Sequence, residues 1–210
     1  MLVASHVVAA TAAPPGRSAI VARRAQPKLE PVHLLHPGRS ACEGFIAARF
    51  MRAHGARIGH FSPHLLGVRD ALGRWRAASG YTPADGHPLF LEQYLDAPVE
   101  EVLARHRGRT IDRDGIVEVG NLAASSIGMA RTLIPLLARH LERLGYEWVV
   151  FTATRELRNT FARLGLHPVA LAPADPSRLV ERDVDWGRYY DNDPVVMAGR
   201  ISHGVQASLA

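Results

Sequence analysis

An α/β or α+β domain, built on a mixed sheet of about six strands with three to five helices, is the fold class that this chain predicts. Two observations carry it. Residues 115–166 alternate β-type and helical patterns twice over. The chain also has 210 residues at 47% apolar composition, enough for one domain with a real core and too little for two comfortable ones.

The elements follow in order. Residues 1–30 carry Ala, Pro, Gly and Arg without periodicity, and Pro14-Pro15-Gly16 breaks any element, so they read as a mobile tail ahead of a single domain, 31–210. Residues 41–54 place Phe45, Ile46, Phe50 and Met51 on a helical stripe. Two β-type runs, 65–69 and 74–79, flank Asp70-Ala71-Leu72-Gly73 in a hairpin pattern. Residues 81–88 are turn-rich. The run LFLEQYL at 89–95 leads to Pro98, which suits the first turn of a short helix at 99–106. A strand at 115–123, a helix at 127–144, a strand at 146–153 and a helix at 155–164 come next. Pro135 stands inside the first of these helices, where it removes a backbone bond, so the helix either kinks there or begins later. Its stripe of Leu133, Leu137, Leu141 and Leu144 still argues for burial. A strand at 168–171, a loop at 172–185 and a final strand at 195–201 complete the domain.

Composition narrows the function. Of 25 basic residues only Lys28 is a lysine, and the formal net charge is +5. The Arg excess, with abundant Ala, fits a GC-rich coding bias; it equally supplies a basic face for phosphates or an acidic partner. Arg23-Arg24 and the arginines of 105–109 are scattered and lack interleaved aromatics, so nucleic acid is not expected. Cys42 stands alone, which excludes an internal disulfide and a zinc ribbon and fits a reducing, cytoplasmic setting. No basic residue precedes the short apolar run at the N-terminus, against a secretory signal, and no run of roughly 18 apolar residues could span a membrane.

Glu118 is the residue with the most chemistry in it. Period-2 alternation puts Ile116, Glu118, Gly120 and Leu122 on one strand face and Val117, Val119 and Asn121 on the other. An acid among Val, Ile and Leu is partly desolvated, which raises its pKa towards that of a general base; the alternative is a structural carboxylate paired with an arginine. Asn121 faces away from Glu118 unless a bulge intervenes, and Gly120 makes a bulge cheap. The following loop, Ala124 to Ala130, leaves N–H groups at a helix start that favour an anion such as a pyrophosphate, or it is an ordinary turn capped by Ser126. Trp186, Tyr189 and Tyr190, with Glu92 and Tyr94 in the earlier run, either wall a ligand pocket or cap the core. The pairs His33/His36 and His60/His64 lack carboxylates at ligand spacing, so no metal is expected. Neither a G-x-S-x-G elbow nor a phosphate-binding glycine loop of known pattern is present.

The strings FLEQYLDAPVEEVL, IVEVGNLAASSIGMARTLIPLLARHLERLGYEWVVFTAT, RNTFARLGLHPVALAPAD and WGRYYDNDPVVMAG resemble the thermostable haemolysin family over residues 41–199. The middle third is also similar to the GCN5-related N-acetyltransferase fold, particularly its acyl-homoserine-lactone synthase branch. That resemblance implies a mixed, mostly antiparallel sheet flanked by helices, with a donor thioester lying between strands 115–123 and 146–153. It implies Glu118 and Asn121 as catalytic residues and Leu122, Ala123, Ala124, Ser125, Ser126, Gly128, Met129 and Ala130 as the donor-binding stretch. The donor implied is an acyl carrier protein, through its phosphopantetheine, or coenzyme A, with no tightly bound cofactor. A basic chain would steer to an acidic carrier protein. Two positions depart from the coenzyme-A pattern. Ser125 stands where Gln or Arg is usual, and Phe161 stands where a tyrosine protonates the leaving thiol.

The reading is an N-acyltransferase moving a fatty acyl group from a thioester to an amino acid or related small amine. A membrane-lytic protein is the first alternative, although lysis by relatives would also follow from a surfactant-like N-acyl product. The second is a non-catalytic relative that binds an acyl or nucleotide ligand, which Ser125 and Phe161 favour.

Overall fold

The computed structural model describes residues 27–180 and 184–206. Seven strands form one sheet in the order β1-β2-β3-β4-β5-β7-β6: β1 (Leu29–Val32), β2 (His64–Arg69), β3 (Trp75–Pro83), β4 (Ile116–Ala124), β5 (Trp148–Ala153), β6 (Val169–Pro173) and β7 (Val195–Arg200). Every neighbouring pair is antiparallel except β4 and β5. That parallel pair requires a crossover, which α3 (Ile127–Arg143) supplies.

The helices divide between two faces. Helix α1 (Arg39–His54) covers β2, β3 and β4 through Cys42 and Ile46, which pack with Leu65, Ala78 and Ala123. Helix α2 (Val99–Arg107) packs Val99 and Leu103 beside Ile116, Trp148 and Val150 on the same face. Helix α3 buries Leu133, Ile134, Leu137 and Leu141 on the opposite face, where α4 (Arg155–Arg163) and α5 (Ile201–Gln206) join it.

Several elements differ from expectation. Strand β1 starts inside the expected tail, because Leu29–Val32 pairs along β2; the rest of that tail, 1–26, lies outside the described residues. Residues 81–83, read as turn-rich, continue β3 and pair with Val119, Glu118 and Val117. Helix α3 runs unbroken across Pro135, held by its buried stripe, and Ile134 takes the place expected of Leu144, which is 51% exposed just past the helix end. The last strand stops at Arg200 and Ile201 opens α5 instead.

The run at 89–95 forms a 3-10 turn, Phe90–Tyr94, fixed by a charge pair. Arg113 donates to both Glu92 oxygens at 2.7 and 2.8 Å and to the Ala84 carbonyl at 2.7 Å. Glu92 in turn accepts from the backbone N–H groups of Leu89 (2.7 Å) and Val99 (2.8 Å), so it ties the turn to the start of α2. Burial alone would raise the Glu92 carboxyl, but Arg113 and these N–H groups outweigh it and hold it below its ordinary value. Without Glu92, Arg113 keeps Glu100 at 2.5 Å, but the Leu89 and Val99 N–H groups lose their acceptor. Glu92→Ala is therefore expected to lower stability by about 2–3 kcal/mol in urea unfolding, and Glu92→Gln by less, since the amide still accepts from backbone.

Candidate active site

The parallel ladder between β4 and β5 is three residues long: Ile116↔Trp148, Val117↔Val149 and Glu118↔Val150. Both strands continue beyond it, β4 to Ala124 and β5 to Ala153, without pairing. They part because β4 carries a bulge. Its register on β3 shifts by one residue between Gly80↔Gly120 and Ala78↔Ala123, and Asn121 has φ 52°. Asn tolerates this left-handed conformation better than most residues. A bulge bends and twists the strand that carries it. Here it carries β4 away from β5.

The bulge also exchanges faces. Leu122 joins the α3 side and Ala123 the α1 side, opposite to strict alternation. Asn121 now reaches the segment that follows α1. Its Oδ1 accepts from the Ser62 N–H (2.9 Å) and hydroxyl (3.2 Å), and its Nδ2 donates to the His60 carbonyl (3.2 Å). Arg39, buried at the start of α1, donates to the carbonyls of Ser62 (2.9 Å) and Pro63 (3.0 Å) and secures the same segment. Ser62 lies so close that a Cβ on Gly80 would sit 2.5 Å from it, so only glycine fits there.

Glu118 is the last paired residue, at the point of the fork. Its Oε2 accepts the Phe90 N–H at 2.8 Å. The side chain sits deep in the protein yet is open to the cavity in front of it. Burial pushes its carboxyl up to about 7, although the N–H groups of Phe90 and Leu91 pull the other way and Glu92 adds to the rise. Near neutrality such a group is divided between its two protonation states, which suits a general base.

The fork opens into a cavity of about 840 Å³ that reaches both faces of the sheet. On the α3 side its walls are apolar: Ile134, Leu137, Leu141, Phe151, Phe161 and Ile201. On the α1 side they are aromatic. Phe50 stacks on Tyr189 (6.4 Å between ring centroids), Tyr189 meets Trp186 (5.4 Å), and Trp186 meets Phe90 (6.1 Å), whose N–H holds Glu118. Residues 184–190 bring two of these rings as a strap across the end of α1. Main-chain bonds fasten it: Arg57 N–H to the Asp185 carbonyl and Arg188 N–H to the His54 carbonyl, each 2.7 Å. Gly187 has φ 50° and lies against the His54 carbonyl, where a Cβ would come within 2.3 Å.

Residues 32–205 match the model of the family described as thermostable hemolysin. The chain belongs to that family. A search of curated proteins finds no match. Among solved structures, this thermostable hemolysin is similar to FeeM, an N-acyl amino acid synthase from uncultured soil microbes, with a TM-score of 0.58 at 12% identity over 86% of this chain and 98% of that one. It is likewise similar to TofI, solved in a ternary complex with an inhibitor and MTA (0.56, 15%, 88% and 100%), and to the AHL synthase LasI (0.56, 12%, 83% and 90%). At these identities the likeness is one of fold: the mixed, mostly antiparallel sheet flanked by helices that the sequence led us to expect.

The expected site residues of the thermostable hemolysin chain divide sharply. Glu118, Leu122, Ala123, Ala124, Ser126 and Ala130 line the cavity, as do Tyr94, Trp186 and Tyr189. Asn121 also borders it, with its amide bonded to Ser62 and His60. Glu92 is absorbed by Arg113, and Tyr190 lies behind Tyr94, their hydroxyls 2.6 Å apart. Ser125 is turned to β3, with its N–H on the Arg76 carbonyl (2.8 Å) and its hydroxyl under Arg76 Nε (3.1 Å). Met129 packs near Leu133 and gives its N–H to the Ser126 hydroxyl, and Gly128 lies outside the lining. Ser126 is thus the N-cap of α3 as well as a wall residue. Phe161 packs against Phe151 (5.0 Å). Cys42 is buried in the core, and burial pushes its thiol up to about 11, so it is not a nucleophile. Among the described residues, no group of three His, Cys, Asp or Glu is placed to hold a metal, and no helix is long and apolar enough to cross a membrane.

The raised carboxyl carries a stability signature. In the fold Glu118 holds its proton until about pH 7, whereas unfolded it releases it near 4.5. The native state is therefore favoured below the lower value and loses that advantage as pH rises through the upper one. Glu118→Gln should be more stable than the parent by roughly 3 kcal/mol at pH 8, with the difference vanishing towards pH 4 in paired thermal or urea unfolding curves.

Proposed function

We propose that this thermostable hemolysin is an N-acyltransferase that moves a fatty acyl group from a thioester to a small amine. The carrying observation is the carboxyl at the strand fork: it lies deep, titrates near neutrality and faces a cavity that reaches both sides of the sheet. Beyond Glu118 the β4 edge that faced β5 has no strand beside it, so its backbone groups are available to align a thioester in the gap. The apolar arm under α3 receives the acyl chain, and the aromatic arm receives the acceptor. The first N–H groups of α3, at Ile127 and Gly128, have no partner within the helix and favour the donor's phosphate. The donor is the phosphopantetheine of an acyl carrier protein or coenzyme A, and the net charge of +5 suits an acidic carrier.

In this mechanism Glu118, as carboxylate, takes a proton from the acceptor's ammonium group. The freed nitrogen attacks the thioester carbonyl carbon, a C–N bond forms, and the C–S bond breaks. The proton lost by the amine nitrogen during attack and the thiolate's need for one balance at the fork. Phe161 has no proton to give. The thiolate therefore takes up the proton that the nitrogen sheds during attack, and Glu118 releases the ammonium's proton to solvent before the next turn. Tyr94 is a poor source of that proton: burial and the Tyr190 hydroxyl raise its phenol well above its ordinary value.

Two outcomes are expected. Acyl thioesters supplied with a panel of amines should release free thiol, with kcat/KM falling below about pH 7 as Glu118 gains its proton; Glu118→Gln should lose about 100-fold or more and flatten that limb. Thiol release undiminished in the variant would refute the role. Filling the apolar arm with Leu137→Trp should raise KM for a twelve-carbon donor about tenfold while leaving a four-carbon donor unchanged, since each lost methylene contact is worth about 0.8 kcal/mol.

A further inference from the structure

Two arginines line the cavity, Arg49 and Arg200, and only one of them is neutralised. Arg200 bonds Glu147 at 2.6 Å and lies over Trp148. Arg49, half-buried on the cavity side of α1, makes no ion pair and no side-chain hydrogen bond among the described residues. Two further polar atoms on the same side are buried without a partner: His54 Nδ1, one turn further along α1, and Trp186 Nε1 on the strap. A guanidinium drawn out of bulk water without an acceptor is costly, and an indole N–H is a donor only. The His54 and Trp186 atoms are sealed from the cavity, so Arg49 is the group on this side that a ligand can answer.

Arg49 belongs to the aromatic arm. Phe50 follows Arg49, His54 meets Tyr189 edge-on at 5.2 Å, and the rings run from there through Trp186 to Phe90 and so to Glu118. The cavity therefore presents an acid, an apolar aromatic side and an unpaired base. An amine alone would use the first two. A molecule that uses all three carries an ammonium group, an apolar side chain and a carboxylate.

We infer that the acceptor is an α-amino acid with an apolar or aromatic side chain, its carboxylate held by Arg49. Its ammonium group lies towards Glu118 and its side chain lies along the rings. Arg49 is a specificity-determining residue that takes no part in the proton transfers. This deepens the acyltransferase reading and rests on it.

Equilibrium binding tests it without turnover. The full chain is titrated calorimetrically with N-dodecanoyl-phenylalanine and with N-dodecanoyl-phenethylamine, which differ only in the carboxylate. The wild type is expected to bind the acid about tenfold or more tightly, as a charge-assisted pair implies. Arg49→Gln should bring the two within about twofold, Arg49→Lys should restore part of the preference, and Arg52→Gln, at an exposed position of the same helix outside the cavity lining, should leave it intact. Equal affinities in the wild type, failure to bind either ligand, or a preference that survives Arg49→Gln would overturn the assignment. So would a loss of coenzyme A binding in Arg49→Gln with the carboxylate preference kept, which would give the arginine to the donor's phosphates. An intact, Arg49-dependent preference in a protein that releases no thiol with any donor would instead count against acyl transfer alone.

Discussion

A single extra residue in β4 is the constraint on which the rest of the molecule turns. With Asn121 in the left-handed region, β4 stays on β3 beyond Gly120 only by shifting register, and β5 does not follow it. The gap, the exposed strand edge and the position of Glu118 at the point of the fork all descend from that. The conformation is held from outside the sheet, by Ser62 and His60 on the Asn121 amide and by Arg39 behind them. A fork supported this way is a rigid opening, because closing it would strip several buried polar groups of their partners.

The carboxyl at the fork is tuned through a second, remote constraint. Phe90 and Leu91 stabilise its ionised form, and both belong to the turn that Glu92 and Arg113 lock in place. Burial pushes one way and two backbone donors push the other, so the group settles near neutrality instead of staying protonated. The charge pair also explains why two acids so close in sequence have opposite fates. Glu92 meets a guanidinium and is held ionised; Glu118 meets only amides and apolar walls.

Much of this was legible in the sequence, for identifiable reasons. Strand, helix, strand and helix over 115–166 follow from periodicities that tertiary packing reinforces, and Glu118 announces itself as an acid in a Val/Ile run. Strand β1 was hidden because four residues next to Pro-rich sequence carry no pattern of their own. The end of β3 was masked by Thr82-Pro83, which reads as a turn until β4 is laid beside it. The face swap at Leu122 needs the bulge, and sequence permits a bulge at Gly120 without requiring one. Ser125 was misplaced because Arg76, its partner, is 49 residues away. Arg49 was invisible for a different reason: among so many arginines, nothing local marks one that lines a cavity without a counter-ion.

The strap at 184–190 is fastened to α1 largely by main-chain atoms and one glycine, while Trp186 and Tyr189 line the aromatic arm of the cavity. Anchor and recognition are thus carried by different parts of the same residues. Replacing a ring there alters what the arm admits while the main-chain bonds to His54 and Arg57 stay available. The lining can therefore change its chemical taste on an unchanged backbone, whereas Gly187 is held to glycine by the His54 carbonyl.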